Sequence, residues 1–160
     1  MTNGVFTEIL LGLLALLLVI AAVIDVRTFT ISNRLNLTVA LLAPLYWWSV
    51  GLPLWPGAAI QVGVAIAVFG LFSIAFFAGM MGGGDVKLAA ALALWFAPLA
   101  TVRFLVFMSI AGGVVTLVVL ARHRMLKKAG KAEVPYGVAI AAGALAAYPA
   151  SPLMAAFLAG

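Results

Sequence analysis

Cysteine is absent from the 160 residues, and histidine occurs once, as His123. The first absence excludes disulfides, thiolate nucleophiles and cysteine-ligated zinc. The second leaves a histidine-built catalytic zinc site or a Ser-His-Asp triad without its parts. No metal and no cofactor is therefore expected. Charge is scarce as well: only 8% of the residues are charged, and the acids number four, Glu8, Asp25, Asp85 and Glu133. Any proton chemistry in this chain falls to carboxylates. Alternating ten-residue segments of the β-barrel kind are also missing.

What the chain has instead is apolar length. It is 67% hydrophobic, in continuous runs near 20 residues that no soluble domain of this size could bury. Helices that satisfy their own backbone hydrogen bonds are the solution open to such runs in a bilayer. The expected fold is all-α, a polytopic membrane protein built as a six-transmembrane-helix bundle, with residues 1–160 forming a single membrane-embedded domain. The net charge of +5 does not point to nucleic acid, because the basic residues sit in short loops between apolar runs. They fit membrane orientation and contact with anionic lipid better. The first run lacks a preceding Lys or Arg and carries Glu8, so it is expected to be a retained helix rather than a cleaved signal.

Helices are expected over about 5–24, 35–50, 58–78, 86–96, 101–121 and 135–157, with Pro98 interrupting the short fourth one. Tyr46, Trp47, Trp48 and Trp55 cluster around the turn at 51–57, as at a headgroup layer. Six spans put the segments after helices one, three and five on one side. That side holds Arg27, Arg34, Lys87, Arg122, Arg124, Lys127, Lys128 and Lys131, against Arg103 alone on the other. The positive-inside rule makes the richer side cytoplasmic, and Asp25 and Asp85 both lie at its boundary.

Residues 79–87, Gly-Met-Met-Gly-Gly-Gly-Asp-Val-Lys, place an acid between two apolar runs behind four glycines. Glycine costs about 1 kcal/mol in a helix interior relative to alanine, so four of them argue for close backbone approach or a sharp turn. An acid at a membrane boundary is a candidate functional group, and a pair of acids suits amide hydrolysis. One, ionised, takes a proton from water while the other, protonated, donates to the carbonyl oxygen. Two nearby carboxyls acquire that difference because both cannot ionise cheaply. Plainer roles stand beside this one: Asp85 as the N-cap of helix four, and Asp25 as a boundary charge paired with Arg27. Helix dipoles make Asp85 the expected base and Asp25 the expected acid.

Three segments in order resemble the type IV prepilin peptidases. Gly82-Gly83-Gly84-Asp85 with Lys87 is similar to the family's GxGDxK motif; Asp25 followed by Ile31-Ser32-Asn33 resembles an aspartate followed by Ile-Pro-Asn; Pro135-Tyr136-Gly137 is similar to Pro-Phe-Gly. The size resembles the small tight-adherence pilus members. The resemblance implies a membrane aspartic endopeptidase of the bacterial inner membrane that uses Asp25 and Asp85. Gly82, Gly84, Lys87 and Asn33 would support them. The implied substrate is a prepilin or pseudopilin, whose basic leader is cut off at the cytoplasmic face ahead of an apolar helix. Ser32 departs from the family proline. The cysteine-bearing zinc segment of the longer members is missing, and with it the expectation of their N-methyltransferase activity. Presenilin-like proteases share GxGD, but carry Tyr-Asp and Pro-Ala-Leu segments that do not occur here. A small ion or proton carrier is the non-enzymatic alternative, which acids near one surface fit poorly.

Reporter fusions after Asn33, Lys87 and Lys131 should all report cytoplasm, and one after Pro53 the opposite side. Disagreement between the fusions at Asn33 and Lys87 would separate the two acids across the membrane.

Overall fold

The computed structural model describes residues 4–126 and 134–147. Among them the chain is helical throughout: α1 (Gly4–Thr28), α2 (Asn33–Val50), α3 (Ala59–Phe77), α4 (Gly83–Ala93), α5 (Pro98–Met125) and α6 (Tyr136–Ala147). A wide helical turn over Leu54–Ala58 leads into α3. Three helical stretches are long and apolar enough to cross a membrane: Gly4–Thr28, Leu54–Phe77 and Pro98–Met125. Their outer faces carry large apolar side chains such as Ile66, Ile74 and Leu117, all exposed. An aqueous protein would bury them; a lipid-facing surface suits them.

The boundaries shift in ways that matter. The first helix runs on to Thr28, so Asp25 lies inside its last turn rather than after it. Phe29 then takes a left-handed φ of 51°, and its N–H still bonds to the Asp25 carbonyl. That is how a helix stops without glycine, at some steric cost. Ser32 caps α2, its side chain accepting the Leu35 N–H, and so does useful work where a proline would only stiffen the turn. Pro98 opens α5 instead of merely ending α4, since a missing N–H costs nothing at a first helical position. The expected continuation of helix six to 157, and Lys127, Lys128, Lys131 and Glu133, lie outside the described residues.

At the centre stands α4, which packs against α2, α3 and α6. Seven of its eleven residues are buried, among them Asp85, Leu88, Ala89 and Leu92. Eleven residues rise only roughly 16 Å, about half of a hydrocarbon core near 30 Å. Its carboxyl end must therefore be satisfied inside the protein. Trp47 Nε1 does this at the cap, donating to the Leu94 carbonyl at 2.7 Å, and Gln61 Nε2 and Thr101 Oγ1 hold the loop that follows, donating to the Phe96 carbonyl at 3.0 and 3.1 Å. Trp47 is thus a bracket for α4, whereas Trp48 and Trp55 are exposed. Trp95 completes the bracket, donating to the Val39 carbonyl at 3.0 Å and stacking on Tyr46.

Small residues let α6 approach α5. A Cβ on Gly143 would come within 2.7 Å of the Met108 backbone nitrogen, whereas one on Gly113 would meet nothing within 4 Å. Gly143→Ala should therefore loosen the α5–α6 packing by about 1–3 kcal/mol, read as earlier unfolding of the detergent-solubilised protein. Gly113→Ala should leave that transition unchanged.

Candidate active site

Leu10, Leu14, Leu18, Ala21 and Asp25 are the buried residues of α1. Their spacing of four, four, three and four places them on one stripe. Asp25 is therefore carried into the bundle by the same face that buries the leucines. Arg27, two residues on, points to the exposed side, so the boundary-charge reading loses its geometric basis.

Burying a carboxyl needs donors. They come from the far end of the chain, where α6 begins. Gly137 N–H donates to Asp25 Oδ2 at 2.6 Å, and the Val138 N–H also faces this carboxyl. First-turn amides of a helix have no partner within it, and the helix dipole there favours an acid. Asp25 thus lies at the unfavourable end of its own helix and at the favourable end of α6. Residue 137 has to be glycine, because a Cβ there would sit 2.8 Å from the Asp25 Cβ and Oδ2.

Asp85 occupies the third position of α4, behind Gly83 and Gly84. The helix is capped by Gly82 with no side-chain bond, so Asp85 is not its N-cap. Glycines 83 and 84 are ordinary first-turn helical residues, and Gly82 has a negative φ of −73°. Among the glycines of this stretch only Gly79, at φ 69°, takes the left-handed conformation. Close approach is the reason for the others. A Cβ on Gly84 would lie 2.6 Å from the Ile31 carbonyl oxygen, and one on Gly82 would lie 2.8 Å from Asp85 Oδ2. Gly84 thereby lets the segment after α1 close against the head of α4.

Both acids are carried to this closure, Asp25 by the last turn of α1 and Asp85 by the first turn of α4. Both are buried, at 2% exposed for Asp25 and 8% for Asp85, and their charges are near enough to repel one another. They differ in their partners: Asp25 faces two amides of α6, while Asp85 has the single amide of Gly82, and its Oδ1 is buried and unpartnered among the described residues. At the rim, Lys87 Nζ donates to Asn33 Oδ1 at 2.8 Å, which joins two of the sequence-derived supporting residues to each other. Both are exposed. Beneath them Asn36 Nδ2 donates to the Gly84 carbonyl at 2.9 Å. Asn36, Gln61 and the N–H of Gly137 escaped the sequence reading as site or scaffold groups. The available signal for the first two was an amide side chain inside an otherwise apolar run. Among the described residues, no three His, Cys, Asp or Glu residues gather to hold a metal ion.

Comparison with known families gives a match over residues 12–117 to the model of the type IV leader peptidase family. None of the curated proteins or solved structures compared with the chain matches it. The matched span includes both aspartates, the glycine stretch and most of the described bundle, and the chain belongs to the type IV leader peptidase family.

Proposed function

We propose that this chain is a single-domain aspartic endopeptidase of the bacterial inner membrane, of the small tight-adherence kind, with six helices traversing or entering the bilayer. It cuts the basic leader from a prepilin-like substrate at the cytoplasmic face. The observation that carries the reading is the burial of both Asp25 and Asp85, the only aspartates in the chain, where the segment after α1 closes against the head of α4. Family membership supports a peptidase, and the carboxyl pair supports the aspartic mechanism.

The partners of the two acids divide their labour, and they reverse the division that helix dipoles alone suggest. A carboxylate accepts hydrogen bonds only, which suits Asp25 under the amides of α6. A protonated carboxyl has a hydrogen to give, which suits Asp85 with its unpartnered Oδ1. Asp25 then takes a proton from water as the water oxygen attacks the scissile carbonyl carbon. Asp85 gives its proton to the carbonyl oxygen. The tetrahedral intermediate collapses when the carbonyl re-forms, its hydroxyl proton returns to Asp85, and Asp25 passes its proton to the departing amine. Each carboxyl ends in its starting state.

Asp25→Asn and Asp85→Asn should each lower leader cleavage by about a thousandfold or more while leaving insertion intact, because each nearly preserves volume and removes one proton-transfer partner. Mass measurement of the new substrate N-terminus is the readout, and near wild-type processing in either variant would refute the mechanism. The division of labour has its own test. Carboxyl-labelled aspartate reports on these two residues alone, and segmental labelling of residues 1–32 isolates Asp25. The protonated-carboxyl vibration should stay in place when only that segment is labelled; a shift there would return the acid role to Asp25.

Gly84→Ala and Gly137→Ala should abolish cleavage by different routes, one prising Ile31 from α4 and the other displacing the Asp25 carboxyl. Gly82→Ala should lower cleavage as well, because its Cβ would displace the Asp85 carboxyl, but it should disturb the fold less than Gly84→Ala, since it meets the end of a side chain rather than backbone. Cleavage rates normalised to membrane-inserted protein, read beside the thermal unfolding of each variant, check both.

A further inference from the structure

Two close approaches fix the relative heights of the helices. Gly143 faces Met108 and Gly112 faces Ala139, so α5 and α6 run antiparallel and Gly137 stands level with Val114. Gly137 also holds Asp25, which brings the acid to that same level. From there α5 continues for eleven residues to Met125, whereas α1 ends three residues past Asp25, at Thr28. At 1.5 Å per residue the tail of α5 projects roughly 16 Å past the acid.

This tail is not built for water. Leu117, Val118 and Leu120 are exposed. The five apolar residues 117–121 go more than once round a helix of 3.6 residues per turn, so the tail is apolar on every side. A protein partner would cover one face, whereas lipid covers all of them. Charge appears next, as Arg122 and Arg124, both exposed.

A second measure agrees. Exposed charges bracket the apolar surface of two helices: Glu8 and Arg27 on α1, Arg103 and Arg122 on α5. The members of each pair are 19 residues apart, and the only charge between them in either helix is the buried Asp25. Such a stretch rises roughly 28 Å, close to a hydrocarbon core of about 30 Å. Both stretches therefore match the thickness of a bilayer, but they stand at different heights. Arg27 lies two residues beyond the level of Asp25 and Arg122 lies eight beyond it. The offset is roughly 9 Å. Glu8 and Arg103 are displaced by the same amount in the same direction.

We propose that the lipid surface crosses the bundle obliquely, with the tail of α5 immersed in the leaflet nearest the acids and Arg122 and Arg124 among its anionic headgroups. The acids then lie near the surface on the side of α1, where Arg27 is exposed, and about 12 Å beneath it on the side of α5. Water reaches them from the first side, and hydrocarbon walls the second. The inference rests on the membrane reading above and holds whether or not the chain is a peptidase.

The chain has no cysteine, so single cysteines report cleanly. The full chain is placed in lipid nanodiscs of phosphatidylcholine and phosphatidylglycerol, and Thr28→Cys, Leu120→Cys and Ile66→Cys are each treated with a membrane-impermeant maleimide. A surface normal to the helices would leave Leu120, roughly 9 Å past the acids, wetter than Thr28, roughly 4.5 Å past them. The oblique surface reverses that order. Thr28→Cys should react roughly a hundredfold faster than Leu120→Cys, because a thiol in hydrocarbon does not ionise and only the thiolate attacks. Equal rates, or a faster Leu120→Cys, would overturn the proposal. A nitroxide on Leu120→Cys then identifies what covers the tail. It should collide with oxygen in preference to a water-soluble nickel chelate; spin–spin broadening between copies would assign the tail to a second copy of the chain and overturn the lipid assignment. Ile66→Cys, on the exposed face of α3, keeps the membrane reading separate. Rapid labelling there would put the bundle in water and defeat that reading with the proposal, whereas slow labelling at Ile66 beside rapid labelling at Leu120 defeats the oblique seat alone.

Discussion

A 2.6 Å hydrogen bond joins the first and last described helices: the Gly137 amide donates to Asp25 across 112 residues of chain. In water either group could be satisfied by solvent. Inside an apolar bundle, neither can be left alone without a cost of several kcal/mol. Burying Asp25 therefore requires the amino end of α6 to lie against α1, and that in turn requires glycine at 137. The small residues of α6, Gly143 among them, let it also lie against α5. One buried carboxyl thus helps determine where the last helix goes.

The same constraint explains the short α4. A helix of eleven residues leaves unpartnered carbonyls at its end. Trp47 answers the Leu94 carbonyl at its cap, and Gln61 and Thr101 hold the Phe96 carbonyl of the loop that follows. At the opposite end Asn36 adds a hydrogen bond to the Gly84 carbonyl and ties the first turn of α4 to α2. These four polar side chains hold a buried helix at both ends, and that rigidity keeps the Asp85 carboxyl at a fixed place beside Asp25. Loops alone would not hold two acids that repel each other.

Much of this was legible in the residues. The apolar runs and the scarcity of charge require membrane helices, and the leucine stripe ending in Asp25 has the period of one helix face. Segment order around the two aspartates carried the family resemblance, and the family match agrees with it. Less legible were the exact ends of helices. Asp25 looked like the first polar residue after a span, because hydropathy changes there; the helix continues for three more residues to Thr28, since backbone hydrogen bonding does not depend on side-chain polarity. The glycines argued for close backbone approach or a sharp turn, and most of them adopt negative φ and serve close approach.

Taken by itself, the sequence determined the solvent in which this protein folds, the helical class, and the two acids available for chemistry, because these follow from composition and from periodicity along the chain. Only the tertiary structure decided which donors face those acids. Helix dipoles read along the chain put Asp25 in an unfavourable place, and α6, contributed from 112 residues away, reverses that by bringing its first amides to the carboxyl. Electrostatic environment is a sum over neighbours in space. No local reading of residues 20–30 contains Gly137.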